Sequence, residues 1–229
     1  MQKTFASFAR ENPFDLTADQ LAQLKHDLAH PDAETASDEL VDFTLWRSGL
    51  PSRQARFAEY AAQIFPLRSY PHLLEVGCGR RARAAMLLAA KGYQMSAIDP
   101  RLSVKTEGIH GMRACFQDHQ EAISAYDAII AQEPCEATEH IICSCAAKHV
   151  PFLISLCAGP HRFINGHMPS STEEWITHMQ EIDPEHTVLI YPELIPGYLT
   201  PVLIGSYVNA KDRKASGQTQ CFKHSLTSS

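Results

Sequence analysis

HLLEVGCGRRARAAMLLAAKGYQMSAIDP, residues 72–100, decides the fold. An apolar run (Leu73, Leu74, Val76) ends in two glycines, Gly77 and Gly79. An Ala/Leu segment of helical character follows, then a second apolar run that closes on Asp99. Strand over 72–78, glycine turn, helix over 82–91, strand over 93–99 and a terminal acid make a nucleotide-type βαβ unit. Gly77-x-Gly79-x-x-Ala82 fits the G-x-G-x-x-G/A turn, and Asp99 stands 20 residues beyond Gly79, where a ribose-binding acid belongs. By itself the pattern admits NAD, FAD or S-adenosylmethionine.

Two further features discriminate among these ligands. Glu75, two residues before Gly77, places a carboxylate at the mouth of the turn. It would repel a doubly charged pyrophosphate and attract the amino and sulfonium groups of S-adenosylmethionine. The second feature lies near the C-terminus. TVLIYPELI (187–195) and PVLIGSYVN (201–209) both read as strands, and the link PGYLT is too short for a crossover helix. Such strands pair antiparallel, so a mostly parallel sheet is expected to close in an antiparallel hairpin.

Between these ends the chain alternates. A weak strand is expected around Met112–Phe116, a buried one over 125–134, a helix over 136–148, a strand over 151–157 and a helix over 170–182 capped by Ser170 or Ser171. Three amphipathic helices are expected within residues 1–70, the third opened by Ser52 and carrying Phe57, Tyr60, Ala61, Ile64 and Phe65. They read either as a lid or as cover for one face of the sheet. The expected organisation is therefore a helical cap (1–70), a Rossmann-like α/β domain (71–209) and a polar tail (210–229).

Composition narrows the classes of function. A net charge of −6 and a pI near 6.0 disfavour a protein whose main task is gripping nucleic-acid phosphates. No apolar run reaches the ~18 residues of a membrane span, and the polar N-terminus lacks a secretory apolar core. Seven cysteines, set mostly in apolar runs, suit reduced thiols in a cytoplasm.

LLEVGCG (73–79), AIDP (97–100) and YDAIIAQEP (126–134), with the closing hairpin, resemble the class I S-adenosylmethionine-dependent methyltransferases. The resemblance covers roughly residues 70–209 in architecture, with specific motifs only in 73–99. It implies S-adenosylmethionine as cofactor, with Glu75 near the methionine amino group, Gly77 and Gly79 admitting the ligand to the backbone, and Asp99 on the ribose hydroxyls. Asp118 would meet the adenine amino group, and Gln132 and Glu133 would line the transfer site. The family often has a third glycine where this chain has Arg81, after Arg80. That cation could pair with the ligand's carboxylate, turn outward, or narrow the pocket.

Methyl transfer from a sulfonium relies largely on positioning, with a base only where the acceptor must lose a proton. Glu133 is the candidate base, against the alternative of a solvated loop acid. The amino-methylating DNA enzymes' Asn-Pro-Pro-Tyr type sequence is absent, strand four ending in Gln132-Glu133-Pro134-Cys135. A small-molecule acceptor is expected, and no nucleic-acid or membrane partner. His161 and His167 fall at the same rim, Tyr191 and Tyr198 flank the hairpin link, and Phe43, Trp46, Phe57 and Tyr60 could form an aromatic lid or simply core. Cys135, His140, Cys143, Cys145 and His149 invite a metal, but on a helix they point in different directions, so no metal is expected. The rival functions are a non-catalytic binder of S-adenosylmethionine or S-adenosylhomocysteine, and an NAD-dependent oxidoreductase.

Overall fold

The computed structural model describes residues 51–103, 108–194 and 199–207. Its helices and strands are α1 (Arg53–Ile64), β1 (His72–Val76), α2 (Arg83–Ala90), β2 (Gln94–Ile98), β3 (Ile109–Met112), β4 (Ala128–Gln132), α3 (Ala137–Lys148), β5 (Phe152–Ser155), α4 (Thr172–Glu181), β6 (Thr187–Ile190) and β7 (Val202–Gly205), with a 3-10 segment at Phe116–Ala125. They build one seven-stranded sheet in the order β3-β2-β1-β4-β5-β7-β6. Every neighbouring pair is parallel except β5–β7 and β6–β7. The fold is Rossmann-like, with the expected hairpin present and its second strand inserted between β5 and β6.

Alternation along the strands sorts the core into two layers. Leu73, Met95, Ala97, Ile130 and Leu153 face α1 and α2, where Phe57, Ala61, Ala85 and Leu88 cover them. Leu74, Val76, Ile98, Ile129 and Ile154 face the other way, onto Ile141 and Cys145 of α3, Trp175 and Met179 of α4, and Phe116 and Ile123 of the 3-10 segment. Both faces are covered, which is why the central strands read as continuous apolar runs. The strand order reverses between β1 and β4, so the C-terminal ends of β1, β2 and β4 open onto one crevice.

The third expected N-terminal helix is α1. The Ser52 hydroxyl caps it by accepting from the Ala55 amide at 3.1 Å. Phe57, Ala58 and Ala61 are essentially inaccessible, so this helix covers a sheet face and Phe57 belongs to the core. The two earlier expected helices, with Phe43 and Trp46, lie outside the described residues, as do Tyr198 and the expected tail.

Three strands differ in their boundaries from expectation. The third strand is Ile109–Met112, and Phe116 instead begins the 3-10 segment. β3 is an edge strand whose His110 and Gly111 are exposed, so its sequence carries no apolar alternation. Pairing with β2, Met95 opposite Ile109 and Ile98 opposite Met112, sets its position. β6 and β7 are also shorter than their apolar runs, ending at Ile190 and Gly205. Pro192 lacks the amide a continuing ladder needs. Beyond Gly205, Tyr207 leaves the ladder and donates its hydroxyl to Asp183 at 2.7 Å.

Gly205 stands directly opposite Phe152 across the β5–β7 pair, and a Cβ at 205 would overlap the Phe152 ring. Gly205→Ala should therefore cost about 1–3 kcal/mol by overpacking. Urea unfolding should show a lowered midpoint, partly restored when Phe152→Leu is added.

Candidate adenosyl-binding site

The glycine turn connects β1 to α2. Gly77 and Gly79 have φ of +70° and +66°, the left-handed region that glycine occupies at least cost. The Gly77 amide donates to the Ile98 carbonyl at 2.9 Å, tying the turn to the end of β2. A Cβ on Gly77 would lie 2.9 Å from Pro134 Cα, so the loop after β4 rests on this glycine. At Gly79 a Cβ would meet nothing within 4 Å. That open space is where a ligand can approach the backbone.

Asp99 is nearly inaccessible, and it organises the turn. One carboxylate oxygen accepts from the Gly79 amide at 2.9 Å, the other from the Arg101 amide at 2.7 Å. Glu75 is likewise buried, at 3% exposure. The Ala85 amide donates to its Oε2 at 2.7 Å. Ala85 is the third residue of α2, whose N-cap, Ala82, provides no side-chain cap. Glu75 therefore occupies one of the helix-end donors that a phosphate would otherwise take.

Burial raises the Glu75 carboxyl to about 7, and Asp99 adds to the rise, while the Ala85 hydrogen bond opposes it. The Cys78 thiol is pushed up by burial and then by Glu75 and Asp99. Two acidic side chains are thus buried at the turn, and Arg101 Nε lies 3.7 Å from Asp99 Oδ1.

Arg81 is 5% exposed and Arg83 9%, so the outward-turned reading of Arg81 is excluded. The Arg80 carbonyl accepts from the amide and hydroxyl of Ser103, at 3.1 and 3.2 Å. Ala82 has φ +46°, a left-handed conformation disfavoured for a residue with a Cβ.

At the end of β4, Gln132 is half-buried and pairs in register with Ser155. Glu133 is not a freely solvated loop acid. Arg53 Nη1, on the first residue of α1, donates to both of its carboxylate oxygens at 2.9 Å. The side chains are 8% and 29% exposed, so a buried cation holds this carboxylate and locks α1 to the β4 tip. Arg53 was not legible as a site residue, because 80 residues separate the partners. Asp118 is exposed in the first turn of the 3-10 segment.

The remaining candidates separate. His167 contacts Glu174 at 3.3 Å on α4, and Tyr191 is exposed. His140 contacts Gln120 at 3.4 Å, Cys145 is buried in the core, and His149 stands edge-on to Tyr207. The helix cluster therefore does not converge. Cys135 does have neighbours, but they are Cys157 and His161. A groove of about 490 Å³ along α4, with Phe163, Glu174 and His178 in its wall, contains none of the turn's residues.

No family model and no curated protein matches the sequence. The chain is similar to the solved N-terminal domain of EvdMO1 with SAH bound, at 11% identity over 68% of this chain and 81% of that one, TM-score 0.47. It is also similar to a SAM-dependent methyltransferase from Agrobacterium tumefaciens, at 10% identity, TM-score 0.44, over 67% of this chain and 62% of that one. A mutant of MtNAS in complex with S-adenosylmethionine is similar at 11% identity, TM-score 0.49, over 82% of this chain and 72% of that one. Among the described residues, no helix is long and apolar enough to cross a membrane.

A carboxyl raised on folding binds its proton more tightly in the native state, so its stabilising contribution is present at acid pH and fades as pH climbs to about 7. Glu75→Gln should therefore be more stable than the parent by about 3 kcal/mol above neutrality, the gain vanishing near pH 4. Urea titrations across that range measure the difference. Glu133→Ala removes the carboxylate that Arg53 grips at the β4 tip and should lower stability on the order of 2 kcal/mol, read from the same unfolding curves.

Proposed function

We propose that the chain binds S-adenosylmethionine at the glycine turn and transfers its methyl group to a small-molecule acceptor. The observation that carries this reading is the Glu75 carboxylate on the Ala85 amide. With that helix-end donor already satisfied by an anion, the turn is ill-suited to pyrophosphate and well suited to a cationic ligand. NAD-dependent oxidation is disfavoured for the same reason.

When bound, the ligand supplies an electrophilic methyl group on sulfur. Glu75 would attract its positive charges, Asp99 would accept from the ribose hydroxyls, and Gly77 and Gly79 would let the backbone approach. Asp118 is proposed for the adenine amino group and Gln132 for the wall of the transfer site. Desolvation around Glu75 and Asp99 strengthens each of these attractions. Glu133 is better cast as a positioning residue than as the base, because Arg53 already takes both its oxygens. The same fact supports a second reading, a protein that binds the adenosyl ligand without turnover, since no base is then assigned at the rim.

Calorimetry with S-adenosylmethionine should show affinity rising as pH passes about 7 and Glu75 ionises, and Glu75→Gln should weaken binding and flatten that dependence. Tight NAD binding with no affinity for S-adenosylmethionine would overturn the assignment. Formation of S-adenosylhomocysteine with a panel of small acceptors separates enzyme from binder.

A further inference from the structure

A second constellation stands beside the glycine turn, and the adenosyl ligand does not account for it. The Sγ atoms of Cys135 and Cys157 and a ring nitrogen of His161 lie within 4.8 Å of one another. They come from three places: the loop after β4, the end of the β5 run, and the loop that leads toward α4. We propose that Cys135, Cys157 and His161 form a binding site for a zinc-class divalent ion at the strand-end rim.

Geometry favours an ion over a disulfide. The Cys157 thiol donates to Cys135 Sγ at 3.8 Å. Two sulfurs on one tetrahedral zinc, each at about 2.3 Å, stand about 3.8 Å apart. A disulfide requires about 2.05 Å. The two side chains are therefore already spaced to share an ion, and would have to move to form the bond.

The donor set also selects the metal. Two thiols and an imidazole suit zinc and its softer neighbours, whereas magnesium and calcium take oxygen ligands. Three protein ligands leave the fourth tetrahedral position for water or for a heteroatom of a bound molecule.

The surroundings hold these groups in place. Cys157 is 7% exposed and packed in the sheet core. Cys135 has φ +53° and Glu133 φ +51°, so the backbone is left-handed on both sides of Pro134. Such conformations cluster at ligand clamps, where surrounding structure enforces them. Here the enforcing contacts are Arg53 on Glu133 and Gly77 beneath Pro134. The His161 ring stands edge-on to the fully buried Trp175, centroids 5.7 Å apart, which limits its rotation.

Pro134 rests on Gly77, so an ion on Cys135 sits one residue from the turn that is proposed to hold the adenosyl ligand. Only the ion's use by an acceptor rests on that functional reading; its binding does not.

Cobalt(II) replaces zinc in thiolate sites and reports its ligands by colour. Titrating the reduced full-length chain, freed of metal by chelation, should give a near-ultraviolet sulfur-to-cobalt charge-transfer band and visible d–d bands that saturate at one equivalent and that zinc then displaces. Cys135→Ser and Cys157→Ser should each abolish the two-thiolate spectrum. Should Cys157→Ser fail to fold, Cys135→Ser and His161→Ala, both on loops, still decide the matter. His161→Ala should weaken affinity by about 100-fold or more. Cys143→Ser should leave the bands unchanged. No charge-transfer band in the parent, or a band that survives Cys135→Ser/Cys157→Ser, would overturn the site, whatever the outcome with S-adenosylmethionine.

Discussion

The turn between β1 and α2 is built around one buried hydrogen bond, from the Ala85 amide to the Glu75 carboxylate. A carboxylate buried at 3% exposure is costly unless it is satisfied. The N-terminus of α2 offsets part of that cost with a free amide and the positive end of the helix dipole. In return the carboxylate caps a helix whose own N-cap residue, Ala82, has no hydrogen-bonding side chain. The exchange fixes α2 against β1 and gives the turn its negative character.

Asp99 repeats the arrangement at the next strand. Its two oxygens hold the Gly79 and Arg101 amides, so the ends of β1 and β2 are joined by a side chain as well as by the ladder. Burial raises the proton affinity of Glu75, and the neighbouring Asp99 charge adds to the rise.

On the far side of the turn the constraint is steric. Gly77 has no room for a Cβ because Pro134 lies against it. Pro134 is flanked by two residues in left-handed conformation, Glu133 and Cys135. Arg53 draws Glu133 one way, and Cys135 turns toward Cys157. A short strained loop thus connects α1, the glycine turn and the thiol pair.

The sequence by itself determined the βαβ unit, the acid at each strand end and the antiparallel closure. These follow from local periodicity, from glycine spacing and from a link too short to cross the sheet. Ser52 as a cap was legible for the same reason, since a cap bonds within three residues, and the structure chose Ser171 over Ser170 for the other. The edge strand β3 was not, because its pairing with β2 places it and its own side chains carry no pattern. Tertiary structure alone decided that Arg53 takes Glu133 across 80 residues, and that Cys135 meets Cys157 and His161 rather than the helical His140 and Cys143. Helical spacing reports only neighbours along one element. Parallel β4 and β5 bring their C-terminal loops together at the same sheet edge, and no local rule in the chain records that juxtaposition.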